Sequence, residues 1–275
     1  MNNVINCKVI KEEWLQGCKK EVDSMEIKPS LLIIKANDSP SSERYVRNKI
    51  KTCVECGIEV ELSSFSKETT TEYIVSHIKD NQDRYSAVIV QSPMYKHLDE
   101  YAIVNTVNPL KDCDGLTDAN IGKLFSGRPL LTPATPQGVI DMFNEIDYIL
   151  EGKDVLMIGR SLLFGKTFAE LCNQKNATVT LAHSKSDLCM LSFNNYHVVV
   201  SAIGKPKFLK DYCADILVDV GINFDENGKM CGDFDIETCN CISYTPVPNG
   251  VGQLTQASVV RNIIKCHKLQ HNSFK

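Results

Sequence analysis

The chain lacks the features that mark a membrane protein, a nucleic-acid binder or a disordered segment. No apolar run approaches the roughly 18 residues that a membrane span needs; the longest, such as Leu31-Leu32-Ile33-Ile34 and Val198-Val199-Val200, are far shorter. Basic residues are not in excess. The 30 Lys and Arg stand against 34 Asp and Glu, giving a net charge of -4, and they are scattered. Nucleic-acid binding therefore has no electrostatic support. With only 10 Pro and 15 Gly, collagen-like and low-complexity classes are excluded. The first residues, MNNVINCKVIKEEW, carry no apolar stretch of the kind an export signal requires, so the cytoplasm is the expected location. What is present is ordinary globular material: 275 residues, 43% hydrophobic and 23% charged. That length buries a core without help from disulfides or metal, in one large domain or two small ones.

Cysteine is the exception to this plainness, with 12 in the chain. Without an export signal a disulfide framework is not expected. The one CxxC, Cys53 to Cys56, and the one CxC, Cys239-Asn240-Cys241, lie far apart, whereas a structural zinc site brings two such pairs together. Reduced, buried or half-buried thiols are the expectation.

Short β-branched runs alternate with helical stretches. Strands are expected at 31–34, 59–62, 87–90, 155–158, 178–181, 198–202 and 216–220, and most are apolar throughout. Strands of that kind are buried on both faces of a parallel sheet. Helices are expected at 42–56, 70–79, 137–150, 166–174 and 255–267. The alternation defines an α/β fold. Asn227-Gly228 reads as a hairpin turn. The segment 128–136 carries three prolines, is expected to be non-helical inside, and marks a domain boundary; a second Pro-rich segment, 245–252, precedes the last helix.

Two constellations carry chemistry. After the strand ending at Ile158 comes Gly159-Arg160-Ser161-Leu162-Leu163-Phe164-Gly165 and then a helix. A glycine turn of this kind lets the backbone approach a pyrophosphate, and the helix start offers N–H groups to it. The spacing is G-x-S-x-x-x-G rather than G-x-G-x-x-G, and glycine turns also join strands to helices where no nucleotide binds. The next strand ends at Ala182-His183-Ser184-Lys185 and not at the carboxylate that holds the ribose of NAD. Ser184 and Lys185, with Arg160 beside them, suit a 2′-phosphate, so NADP is favoured over NAD; solvated surface charges are the alternative. In the first half, Tyr45 and Lys49 stand four apart on one helix face. A lysine beside an aromatic ring in a cleft can shuttle protons; a surface lysine lying along a half-buried tyrosine is the plainer alternative. The strand 88–90 ends in Gln91-Ser92-Pro93, and Lys111-Asp112-Cys113-Asp114-Gly115 is a turn with two carboxylates. Strand ends and the turns after them are where α/β proteins place ligand contacts.

Taken in order, nine segments resemble the bifunctional 5,10-methylenetetrahydrofolate dehydrogenase/cyclohydrolases. They are Pro40 to Lys49, Val90 to Pro93, Lys111 to Gly115, Thr132 to Gly138, Gly159 to Gly165, His183 to Lys185, Gly204 to Pro206, Asp219 to Asn223 and Thr245 to Gly252. The resemblance implies two α/β domains around a cleft: 1–137 for the folate, 138–254 as a Rossmann-type NADP domain, and a final helix, 255–275, packing back on the first. It implies oxidation of 5,10-methylenetetrahydrofolate with NADP, then hydrolysis of the methenyl product to 10-formyltetrahydrofolate, in a homodimer and without a metal. Lys49 resembles the lysine that helps activate water, Tyr45 the aromatic that stacks on the folate, Gln91 the amide beside the lysine, and Asp114 the carboxylate on the pterin edge. Gly159, Arg160, Ser161, Gly165, Ser184 and Ile222 resemble the cofactor contacts, with Thr255 near the nicotinamide. The chain departs from the family at Lys35-Ala36, Ser92, Ala134, Asn249 and Gln253, where altered affinity or relative rates are expected. A dehydrogenase with little cyclohydrolase activity, a non-catalytic binder of the same fold, and an unrelated Rossmann oxidoreductase are the competing readings.

Overall fold

The computed structural model describes residues 2–192 and 196–271. Along the chain it runs β1 (Asn3–Val4), α1 (Cys7–Asp23), β2 (Ser30–Lys35), α2 (Pro40–Glu55), β3 (Glu59–Ser64), α3 (Thr71–Asn81), β4 (Ala87–Gln91), α4 (Glu100–Val104), α5 (Asp118–Phe125) and α6 (Ala134–Glu145). Then follow β5 (Asp154–Ile158), α7 (Thr167–Asn173), β6 (Thr178–Ala182), α8 (Leu188–Ser192), β7 (Val198–Ser201), β8 (Cys213–Asp219), β9 (Asn223–Phe224), β10 (Met230–Cys231), β11 (Asn240–Tyr244) and α9 (Val251–His271). The chain forms two compact units, one of residues 13–134 and 256–275, the other of 1–12 and 135–255.

In the first unit the sheet has the order β3-β2-β4, parallel in both pairings, with Lys35 in register with Gln91. Alternate side chains of β2 and β4 serve two cores. Leu31, Ile33, Ala87 and Ile89 pack with Val46 and Cys53 of α2 and Val259, Val260, Ile263 and Ile264 of α9. Leu32, Ile34, Val88 and Val90 pack with Ile74 and Ile78 of α3 and Ile103 of α4. Both faces are therefore apolar, which is why these strands read as unbroken hydrophobic runs. Each buried Leu, Ile or Val among them contributes about 1.5–3 kcal/mol by leaving water. Helix α2 starts where Ser39 accepts a hydrogen bond from the Ser42 N–H, with Pro40 at the first helical position; proline's fixed φ suits that place.

The second unit has a six-stranded sheet, β1-β11-β8-β7-β5-β6, parallel at every pairing. Its strand order reverses between β5 and β7, as in doubly wound Rossmann-type folds, and ligands in such sheets bind outside the strand ends at that reversal. The expected hairpin is present: β9 and β10 pair antiparallel across Asp225–Lys229, with Gly228 at φ 73°.

Some expectations are corrected. The Pro-rich segment is helical at its end. Helix α6 begins at Ala134 and stops at Glu145, so Pro136 sits in its first turn, where a missing N–H costs nothing. The helix expected from 166 is preceded by a π-turn, Leu162–Lys166. Helix α9 begins at Val251, four residues earlier than expected. Elements β1, α1, α4, α5, α8 and β11 were not foreseen. The cysteines are free and mostly buried, Cys53 and Cys56 among them, with Cys213 exposed; Cys189 is not described at side-chain level.

Candidate active site and cofactor loop

The first unit gathers the proposed folate-side residues at the C-terminal ends of its strands. Lys49 lies half-buried on α2, one turn after Tyr45. Its Nζ donates to Gln91 Oε1 at 3.2 Å. Gln91 closes β4, and its Nε2 donates to the Ser92 carbonyl at 2.8 Å. The amide is thereby oriented: with its N–H spent on a carbonyl, its oxygen faces the ammonium. Asp114, in the turn before α5, is held above the usual carboxylate range by burial, an effect eased by the Lys49 charge and added to by Asp112. Asp112 itself is buried and accepts from the Thr117 N–H and Asn120 Nδ2, which fixes the turn. Gly115 takes φ 66° there, and a Cβ would lie 2.6 Å from the Thr132 carbonyl carbon. Tyr45 is 45% exposed, one helical turn before Lys49. Lys49, Gln91 and Asp114 thus form one electrostatic group.

In the second unit, Gly159 takes φ 126° immediately after β5, and a Cβ on it would sit 2.9 Å from the Ala202 carbonyl oxygen. A Cβ on Gly165 would sit 2.1 Å from the Gly159 carbonyl oxygen. The two glycines therefore let the turn fold flat on itself at the sheet's reversal point. Ser161 caps the helical turn, its Oγ accepting from the Phe164 N–H at 3.3 Å. Arg160 and Ser161 are exposed on this loop. Ser184 and Lys185 are exposed after β6, which pairs with β5 through Ile158 and Ala182. Their turn is set by the Lys185 N–H donating to His183 Nδ1 and the His183 N–H donating to Ser186 Oγ. Cation and hydroxyl thus stand at the ends of adjacent strands. Ile222 is 46% exposed on the loop after β8. Thr255 lies inside α9, where its Oγ1 donates to Thr135 Oγ1 or to the Val251 carbonyl.

Two residues without an assigned role in the sequence build that loop. Asp233 accepts from Ser201 Oγ, the Ile203, Gly204 and Lys205 N–H groups, and Asn223 Nδ2. Asp219 accepts from the Gly221, Asp233 and Phe234 N–H groups, and burial raises its pKa to about 7. A Cβ on Gly221 would strike Asp233, and one on Gly232 would strike Asp219. The signal was present as an aspartate and glycine repeated in two loops, but a carboxylate facing inward is indistinguishable in sequence from a surface one.

A flat glycine turn, a capped helical start and exposed donors at the reversal point fit a nicotinamide dinucleotide. Arg160, Ser161 and Ser184 would hold its phosphates, with Gly159 and Gly165 giving the close approach. Among the described residues no group of His, Cys, Asp and Glu is placed to hold a metal ion, and no helix is long and apolar enough to cross a membrane.

Fold and site together define a two-domain, dinucleotide-binding α/β enzyme. Residues 5–114 match the family model for the tetrahydrofolate dehydrogenase/cyclohydrolase catalytic domain, and residues 133–271 match that for its NAD(P)-binding domain. The bifunctional protein FolD of Streptococcus pneumoniae serotype 4 is 41% identical over 234 residues, 82% of each chain. That of Acetivibrio thermocellus is 35% identical over 97% of each chain. A crystal structure of bifunctional FolD from Campylobacter jejuni superimposes with a TM-score of 0.94 at 30% identity, covering 98% of this chain and 100% of that one. The chain belongs to the tetrahydrofolate dehydrogenase/cyclohydrolase family, and it is an enzyme with both activities, using a nicotinamide cofactor.

Proposed function

We propose that this enzyme oxidises 5,10-methylenetetrahydrofolate with NADP in preference to NAD and hydrolyses the methenyl product through Lys49. The observation that carries this reading is the Lys49 Nζ to Gln91 Oε1 contact at 3.2 Å, with Asp114 coupled to the same ammonium. The dinucleotide, when bound, accepts a hydride from the methylene carbon. The remaining work belongs to side chains of this chain. Tyr45 stacks on the folate and orients it. Asp114, with its raised affinity for a proton, grips the polar edge of the pterin. In hydrolysis, water adds to the electrophilic methenyl carbon, the bond from that carbon to N5 breaks, and one proton is released. In its neutral amine form Lys49 Nζ takes the proton from the attacking water, becoming the ammonium, while an N–H of the same nitrogen donates to Gln91 Oε1, which keeps it at the reacting carbon. The carbon is already cationic, so water attacks it without further activation of the electrophile.

Support for NADP lies in Arg160, Ser184 and Lys185 at adjoining strand ends with no carboxylate closing β6. A solved relative from Trypanosoma brucei, 26% identical with a TM-score of 0.92, is complexed with NADP and an inhibitor. We further infer a cytoplasmic homodimer that binds neither membranes nor nucleic acid, in keeping with the net charge of -4 and with the family resemblance.

The test is hydrolysis of supplied 5,10-methenyltetrahydrofolate by the wild type and by Lys49→Ala. Loss of a positioned proton-transfer group removes on the order of 100-fold or more in rate. A Lys49→Ala enzyme that hydrolyses at the wild-type rate overturns the assignment.

A further inference from the structure

The loop after β4 is held by a carboxylate from α4. Glu100 is half-buried in the first turn of that helix. One of its oxygens accepts from the Ser92 hydroxyl and the other accepts from the Met94 N–H at 3.0 Å. Ser92 is the residue whose carbonyl takes the Gln91 amide N–H at 2.8 Å. Gln91 in turn presents its oxygen to Lys49. Four groups are thus linked in series: Glu100, Ser92, Gln91 and Lys49. The order matters because a glutamine amide has two faces of opposite polarity. If the Ser92 carbonyl moved away, nothing in this chain of contacts would stop the amide turning over. Its NH2 would then face the lysine ammonium and push it off position. Two other bonds also hold the loop: Asn37 Nδ2 donates to the Pro93 carbonyl, and the Tyr95 N–H donates to the Ala36 carbonyl. Loss of Glu100 therefore leaves these two ties in place and removes those on the Ser92 hydroxyl and the Met94 N–H.

We propose that Ser92 and Glu100 form a latch that sets which face of the Gln91 amide meets Lys49, so that Glu100 is a positioning residue for the hydrolytic step. This rests on the assignment of Lys49 and Gln91 above. It also gives Ser92 a purpose. At this position the family resemblance expects a leucine, which has no hydroxyl to give to the carboxylate.

The experiment compares Glu100→Ala, Glu100→Gln and Ser92→Ala in the full-length protein. Hydrolysis of methenyltetrahydrofolate is followed across pH, and the side-chain NH2 resonances of Gln91, identified by their loss in Gln91→Glu, are followed by nitrogen-15 NMR. Glu100→Ala is expected to lower kcat of hydrolysis about ten-fold, the effect of one charge-assisted hydrogen bond, with KM changed less than three-fold. The pH profile should shift and the Gln91 resonances should move. Ser92→Ala should give a smaller change in the same direction. Glu100→Gln should restore most of the rate, since its amide oxygen accepts from Met94 and its NH2 donates to a reversed Ser92 hydroxyl. In a Lys49→Ala background, Glu100→Ala should cause no further loss. Unmoved Gln91 resonances, or a Glu100→Ala loss that multiplies with that of Lys49→Ala, overturn the latch. Should the wild type fail to hydrolyse the substrate, the functional reading falls, yet the Gln91 resonances still decide whether the latch exists.

Discussion

At the scale of single residues, geometry separates positions that tolerate change from those that do not. Asn249 stands where the family resemblance expects glycine, yet it holds φ 73°, a left-handed conformation that asparagine enters more readily than other residues with side chains. The neighbouring Gly250 has no such freedom, because a Cβ there would lie 2.1 Å from the Pro246 carbonyl oxygen. Gln253 has found a partner in Lys11 Nζ, at 3.3 Å, and Lys35 Nζ donates to the Asn37 carbonyl at 2.7 Å. These departures are therefore accommodated rather than disruptive. Arg160 makes the clearest residue-scale prediction. Arg160→Ala should raise KM for NADP roughly ten-fold, as expected for a lost charge-assisted pair, and change KM for NAD little. Steady-state kinetics with both cofactors checks this, and equal effects on the two would move the 2′-phosphate elsewhere.

At the scale of elements, the cofactor turn and the end of α9 are the informative places. Gly165→Ala places a methyl group against the Gly159 carbonyl, at 2.1 Å before any shift. Overpacking of that kind costs about 1–3 kcal/mol or more, and here the strain falls on the turn proposed to hold the phosphates. Thermal unfolding should drop and cofactor affinity should fall with it; an unchanged affinity would mean the turn does not cradle the cofactor. Helix α9 is clamped near its end by His267. Its Nδ1 meets Ser86 Oγ at 2.9 Å, its ring also bonds the Ile27 carbonyl, and His271 lies 4.3 Å away between ring centres. A neutral ring that donates to Ile27 can accept from the Ser86 hydroxyl, and it is burial that disfavours the charged form. Burial first, and His271 second, lower the His267 pKa. The folded state thus binds this proton more weakly than the unfolded chain. Its stabilisation is complete above the unfolded pKa, near 6.5, and is lost as pH falls below that value. The wild type should lose Tm between pH 7 and pH 5, and His267→Gln should lose less over the same range. Parallel curves for the two proteins would contradict the clamp.

These elements were not equally legible beforehand. Strands such as β2, β4, β5 and β7 announce themselves because both faces are buried over an unbroken apolar run of three or four residues. Strand β11 does not, since its sequence, NCISY, alternates around an exposed Ile242. Two-residue β1 carries no periodicity at all. Helix α1 was readable in principle: Cys7, Ile10, Trp14, Cys18 and Val22 are all buried, at helical spacing.

At the scale of the whole molecule, thiol chemistry and catalysis follow from the same burial. Cys53, Cys113, Cys172 and Cys266 are buried, and loss of hydration pushes each thiol up, Cys53 to about 12. The protonated thiol is a poor nucleophile. Peptide mapping after thiol labelling at pH 8 should therefore find these four unmodified in the native protein and modified only with denaturant. Labelling at the native-state rate of exposed Cys213 would contradict the packing. The legible part of the active site was the set of residue types and their spacing. What sequence could not show was the third partner in each contact: the Ser92 carbonyl that turns Gln91, and the Asp219 and Asp233 carboxylates that gather N–H groups from separate loops.

The central claim is that one chain oxidises the methylene folate with NADP and then opens the methenyl product. Purified protein should be given 5,10-methylenetetrahydrofolate with NADP or NAD in parallel, following reduced cofactor and 10-formyltetrahydrofolate together. The account predicts faster reduction with NADP and formation of the formyl product from the same enzyme. Reduction that prefers NAD would contradict the Arg160 and Ser184 pocket, and absence of the formyl product would contradict the role of Lys49 and Gln91.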